Sequence, residues 1–295
     1  MKEHILFLFG LLIAIILGLY YMSFYLVFIL LIIYFYIYGW MLSSKHDEQY
    51  KKYKIEKTSL IPPIIYTYWH EKTLPTIVTK CIQSWKRFHP NYTIHVLHPD
   101  NVSKFIDIDI FNIPVSAHAL RSDFIRLALL EKTGGIWLDA SVYLNQSLDW
   151  VHSYQKKESS ECVAFKINKH TLLLQNVDEG NYNIESWFLA SIPNSTFIHD
   201  WNQELQRIKE FDSIHSYISH QSKIIDISHI YNPTYFVVYV SLQSILKNKK
   251  KYKLSLLHGS GPMLSCLYFF NKPTIIKYVN AFRTCYESIG ISNFL

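Results

Sequence analysis

The sequence predicts an α/β fold with a mostly parallel central sheet, carried behind an N-terminal apolar anchor. Two observations set the fold class. A strand–helix–strand succession opens just after residue 60, and a longer helix then feeds through Gly134-Gly135 into a short buried strand. Parallel strands joined this way are covered by helices. The third observation sets the anchor: no charged side chain occurs from Ile5 to Ser44.

A membrane crossing takes about 20 apolar residues, so this run is longer than one straight span requires. It reads either as one long helix continuing into the interface or as a hairpin of two short spans. The hairpin would cross at Ile5–Leu19 and Phe24–Trp40, with Tyr20, Tyr21 and Ser23 at its turn. A cleaved signal has an apolar core of only about 7–15 residues, which favours a retained anchor over 1–44. The basic juxtamembrane linker, 45–61, holds Lys45, Lys51, Lys52, Lys54 and Lys57. Flanking lysines favour the cytoplasmic face for the large domain, 62–295, and the membrane as a partner. A single pass with the domain on the luminal or outer face is the alternative.

Composition narrows the class. Hydrophobic residues make up 49% of the chain and charged ones 18%, which excludes disorder. The net charge of +6 divides between the linker and a cluster at Lys247, Lys249, Lys250, Lys251 and Lys253, so no nucleic-acid stripe is present and no nucleic-acid partner is expected. Cys81, Cys162, Cys266 and Cys285 form no CxxC pair and read as buried free thiols. Sequons occur at Asn91, Asn101, Asn145 and Asn194, without fixing a compartment.

Along the domain, Ile64–Trp69 reads as a buried first strand after Pro62-Pro63. Pro75–Phe88 is a helix with Ile77, Cys81 and Trp85 spaced four apart, and Thr93–Leu97 a second strand. Ser116 caps a helix to about Lys132, with Leu120, Phe124 and Leu127 on one face. Gly134 supplies the left-handed stop. Ile136–Leu138 is the next strand, and Asp139 stands where it emerges, the place where open α/β sheets bind ligands. Cys162–Ile167 reads as a strand, Thr196–Phe211 and Pro233–Leu246 as helices, and Leu254–Leu257 as a short strand leading into His258-Gly259-Ser260-Gly261-Pro262.

The helix at 116–132 carries Ser122, Asp123 and Arg126 on one side. Alone, such an Asp–Arg pair is a surface salt bridge of little worth. Here it precedes Gly134-Gly135-Ile136-Trp137-Leu138-Asp139-Ala140-Ser141, and the combined stretch resembles the capsular-polysaccharide-synthesis family. That family is similar to the D-x-D-containing glycosyltransferases related to the yeast initiating mannosyltransferases. Pro62–Trp69, Cys81–Lys86 with His89–Tyr92, and Ile184–Ser191 resemble the family in order and spacing.

The resemblance implies a GT-A-like, Rossmann-like domain binding a UDP- or GDP-sugar, with a glycan or lipid-linked glycan as acceptor. It implies that Asp139 meets a divalent cation and the donor diphosphate, whose developing charge must be stabilised as the sugar leaves. Ser141 stands at the second aspartate of D-x-D, leaving one carboxylate. His258 would complete the metal shell or approach the diphosphate, or it is one of 14 ordinary histidines. An imidazole ligand suits Mn²⁺ better than Mg²⁺. Tyr68 and Trp69 flank the base or fill the core. Ser122 and Asp123 lie near the nucleotide, and Arg126 orients the carboxylate or meets phosphate. Glu185 sits in an apolar run, where a carboxylate is costly without a partner. It contacts the acceptor, serves as a base, or forms a structural salt bridge, while Trp187 stacks on an acceptor sugar or fills the core. Two other readings share the sequence: a non-catalytic membrane-bound assembly component, and a phosphosugar transferase.

Overall fold

The computed structural model describes residues 60–107, 118–144, 147–166, 184–230, 232–247, 252–258 and 275–276, with short helical pieces between 10 and 37. Most of the expected anchor, the linker as far as residue 59, Ser116, the Gly259–Pro262 turn, Cys266 and Cys285 lie outside the described residues. Among the described residues no helix is long and apolar enough to cross a membrane.

The strands are β1 (Ile64–Tyr68), β2 (Thr93–Leu97), β3 (Gly135–Leu138), β4 (Tyr143–Leu144), β5 (Cys162–Lys166), β6 (Ile184–Ser191), β7 (Leu254–His258) and β8 (Ile275–Ile276). The helices are α1 (Thr76–Phe88), α2 (His118–Thr133), α3 (Asp149–Glu158), α4 (Thr196–Gln206), α5 (Ile214–Gln221) and α6 (Val237–Lys247). Six strands form the main sheet in the order β2-β1-β3-β6-β5-β7, and β4 pairs with β8 apart from it. Strand β6 runs antiparallel to β3 and β5, and the other neighbours are parallel. The sheet is therefore mixed but mostly parallel.

Two apolar layers follow from the period-two alternation of strand side chains. Tyr66, Trp137, Ala164 and Leu189 face α2, α4 and α6, while Ile65, Ile136, Val163 and Phe188 face α1 and α3. Helix α1 buries Val78, Cys81, Ile82 and Trp85, and the Trp85 indole donates to Val142 O at 2.8 Å. Pro75 is its cap rather than its first residue. Cys81 and Cys162 are buried free thiols.

Helix α2 ends as expected at Gly134, with φ 63° and its N–H bonded to Leu130 O at 2.9 Å. A Cβ there would lie 2.6 Å from Pro193 N, so glycine also lets the turn pack against the end of β6. The stretch expected as one helix from Thr196 to Phe211 breaks after Gln206 into a 3-10 turn over Arg207–Glu210. The helix expected from Pro233 begins at Val237, because residues 233–236 form a turn in which Asn232 Oδ1 accepts from Tyr235 N. Helices α3 and α5 and the antiparallel β6 go beyond the sequence reading.

Candidate active site

The chain leaves β1 toward β2 on one side and later returns through α2 to β3 on the other. The crevice between the ends of β1 and β3 is thus the switch point at which open α/β sheets bind ligands. Tyr68 and Trp69 come off β1 there, and Asp139 comes off β3. Because β6 is antiparallel, its first residues Ile184 and Glu185 begin at this same edge, and Asp139 N bonds Trp187 O at 3.0 Å. The last residue of β7, His258, pairs with Lys166 at this edge too. Strand direction alone thus gathers Tyr68, Asp139, Glu185 and the backbone of His258 along one rim; the His258 side chain lies outside what is described.

Helix α2 supplies the cation. Arg126, 3% exposed, donates from Nη2 to Asp139 Oδ1 at 2.9 Å and to Ser122 Oγ at 3.3 Å. Its Nη1 lies 3.0 Å from Asp123 Oδ1, and Asp123 is itself buried. The guanidinium stands over the Trp137 ring at 5.1 Å, while the Trp137 indole donates to Asp139 Oδ1 at 2.9 Å. Two carboxylates around one guanidinium leave the cluster with a net charge near −1, and the pairing offsets a burial cost that a lone charge would not survive. Of the two roles open to Arg126 in the sequence, the geometry is that of orienting carboxylates.

Ser141 is half-buried in the turn closed by Val142 N to Asp139 O at 2.9 Å. Glu185 is 5% exposed within β6. The Trp187 ring is buried and stacks on Phe165 at 5.1 Å and 17°, so it fills the core. The Tyr68 hydroxyl and Trp69 Nε1 are buried without a hydrogen-bond partner among the described residues. Among the described residues no three His, Cys, Asp or Glu side chains converge as a metal site.

The structure adds residues that the sequence reading missed. Tyr235, half-exposed in the turn before α6, lies close enough that Asp123 and Asp139 add to burial in raising its pKa, while Arg126 opposes them. His118 and Arg121 occupy the first turn of α2, and His118 is stacked on His70. A signal existed for His118, since it precedes Ser122 by four residues and shares its helix face. None existed for Tyr235, which lies in an irregular turn.

The glycosyltransferase afumC of Aspergillus fumigatus is 31% identical over 125 residues, covering 35% of this chain and 32% of that protein. The chain therefore spans about a third of the length of this relative. Among solved structures, the PaToxG glycosyltransferase superposes with a TM-score of 0.34 at 12% identity, over 72% of this chain and 89% of the other. The UDP-bound glycosyltransferase domain of the YGT toxin superposes with a TM-score of 0.40 at 9% identity, over 80% and 87%. The family described as capsular polysaccharide synthesis protein matches residues 35–258, most of the sequence, and the chain belongs to that family.

Proposed function

We propose that the chain is a GT-A-type glycosyltransferase that moves a sugar from a UDP- or GDP-sugar onto a growing capsular or lipopolysaccharide-type glycan at a membrane. One observation carries this reading: a network at the switch point of the sheet in which buried Asp123 and Arg126 hold a partly exposed Asp139 at a strand end. Family membership and the name of the fungal relative support the reaction class.

In this reading Asp139 is fixed before any donor arrives. Arg126 and the Trp137 indole both hold Oδ1, so its orientation costs nothing at the moment of reaction. Tyr68 and Trp69 bound the nucleotide from the β1 side, with Ser122 and Asp123 beneath it. Glu185 is the proposed acceptor contact or base. Asp139 would offer a divalent ion one carboxylate, with Ser141 two positions on, so the donor's phosphates would be needed to complete its shell. Asp139 and His258 would hold it, Mn²⁺ in preference to Mg²⁺, and it would neutralise the leaving diphosphate. The apolar run at 5–44 anchors the domain to the cytoplasmic face of the membrane in this proposal.

Ser141 in place of a second carboxylate also favours a second reading, a non-catalytic assembly component of the same family. Turnover of UDP-, GDP- and CMP-sugars by the full chain, with and without Mn²⁺, separates the two. Consumption of one donor class supports the transferase, and consumption of none supports the component.

A further inference from the structure

The end of β1 carries a cluster that the Asp139 network does not use. Tyr68, Trp69 and His70 follow one another off the strand, and the first turn of α2 sets His118 and Arg121 beside them. The rings of Trp69 and His70 lie 5.0 Å apart, and those of His70 and His118 are stacked at 4.2 Å and 19°. Tyr68 is 6% exposed, and its hydroxyl has no hydrogen-bond partner among the described residues. Burial raises the Tyr68 pKa, and the charge of Arg121, three residues after His118 on α2, opposes the rise. Trp69 Nε1 is also buried and unmet among the described residues.

These groups share a chemistry. The indole, the guanidinium and the phenol donate, and each imidazole offers at least one N–H. A buried donor left unmet is costly, so an acceptor-rich ligand stabilises this corner. The neighbouring network cannot supply the same service, because Arg126 stands between two carboxylates and presents net negative charge. The acidic side chain seen against the imidazoles is Glu71, at the rim and exposed, 3.6 Å from His70 Nε2.

We propose that Tyr68, His70, His118 and Arg121 form a seat for a phosphoryl group, namely the diphosphate of the sugar nucleotide. The proposal rests on the reading of this crevice as a nucleotide-sugar site. Arg121 brings the permanent positive charge, and His118 stacks on His70, which packs beside Trp69. The seat meets the leaving group from the β1 side, which lets a site with Ser141 as its second D-x-D position still hold a diphosphate.

Calorimetric titration of the full chain with pyrophosphate, UDP, GDP, uridine and guanosine tests it. Arg121→Met should weaken pyrophosphate and the preferred nucleotide at least about tenfold, the usual scale of a lost charge-assisted hydrogen bond, and leave the nucleoside within about twofold. His118→Ala should act in the same direction but less, and its exposed position keeps the test alive if Arg121→Met does not fold. Equal weakening of nucleoside and nucleotide, or unchanged pyrophosphate binding, overturns the seat. So does pyrophosphate that binds without competing with the nucleotide, because the seat would then serve a phosphate of the acceptor. If the wild type binds none of the five probes, the nucleotide-sugar reading itself falls; if it binds nucleotide and both variants match it, only the seat falls.

Discussion

Two partly buried carboxylate networks in this molecule look alike on paper and sit in different places. At the sheet edge, Asp139 shares Arg126 with Asp123. Between α4 and α5, Glu204 accepts from the Tyr217 hydroxyl at 2.9 Å and Gln221 Nε2 at 2.8 Å, and pairs with Arg207 at 3.1 Å. The Glu204 network is made of groups from consecutive helices, and its donors are consumed in joining them. The Asp139 network gathers groups from α2 and the end of β3 where the chain's path reverses between β1 and β3, beside donors at the end of β1 that have no partner among the described residues. The Glu204 network is a fastening, and the Asp139 network is the one we propose as a site. Strand direction, more than the presence of charge, separates them.

The sharpest way to break this contrast is at Arg126. Its removal leaves Asp123 and Asp139 facing each other without a cation, and breaking a buried pair in this way costs about 3–5 kcal/mol. Denaturant unfolding of Arg126→Met should show a loss of that order, with part of it recovered in Arg126→Met/Asp123→Asn. Unchanged stability would mean that the network is not a closed ionic unit.

A polar group far from the edge sharpens the same comparison through pH. His89 Nε2 accepts from Leu148 N at 2.9 Å, which requires the neutral ring, and burial lowers its pKa to about 4. The unfolded chain therefore binds this proton first as pH falls. Stability is fully present above about pH 6.5 and is lost as pH drops toward 4, by about 3 kcal/mol in total. Unfolding free energies measured between pH 7.5 and 4 should decline through that window, and His89→Gln should flatten the decline. Donor binding should not follow the His89 titration, since His89 lies at the end of α1, away from the crevice.

The smallest effect is expected at Glu204. Glu204→Gln keeps an acceptor for Tyr217 and gives up the charge that Arg207 pairs with, a half-exposed contact of little net worth. Thermal unfolding should register a loss of about 1–2 kcal/mol, the scale of a weakened buried hydrogen bond. Nucleotide affinity should be unchanged. An altered nucleotide affinity would contradict the division into fastening and site.

Part of this was legible in the sequence. The spacing of Ser122, Asp123 and Arg126 ahead of Gly134 and Asp139 placed a helix face beside a strand end, because a glycine in the left-handed region makes that turn short. The direction of β6 was not legible, since Ile184–Ser191 is almost wholly buried and reads the same for a parallel or an antiparallel strand. Helix α3 was missed because only Trp150 and Val151 among its large apolar residues are buried, too few for a periodic signal. His118 and Arg121 acquire meaning only from Tyr68 and His70, some fifty residues earlier, and no local pattern encodes that meeting. Trp187 could be read as a stacking platform until Phe165 was found against its face.

The central claim is that Asp139, held by Arg126 and Trp137, faces the donor. The direct measurement is donor turnover by Asp139→Asn beside the wild type, with thermal unfolding recorded on both. The substitution keeps an acceptor oxygen for the Trp137 indole and removes the charge, so the melting transition should move little. Turnover should fall by at least about a hundredfold, the scale of losing one preorganised electrostatic contact. Wild-type turnover in a folded Asp139→Asn protein would contradict the account.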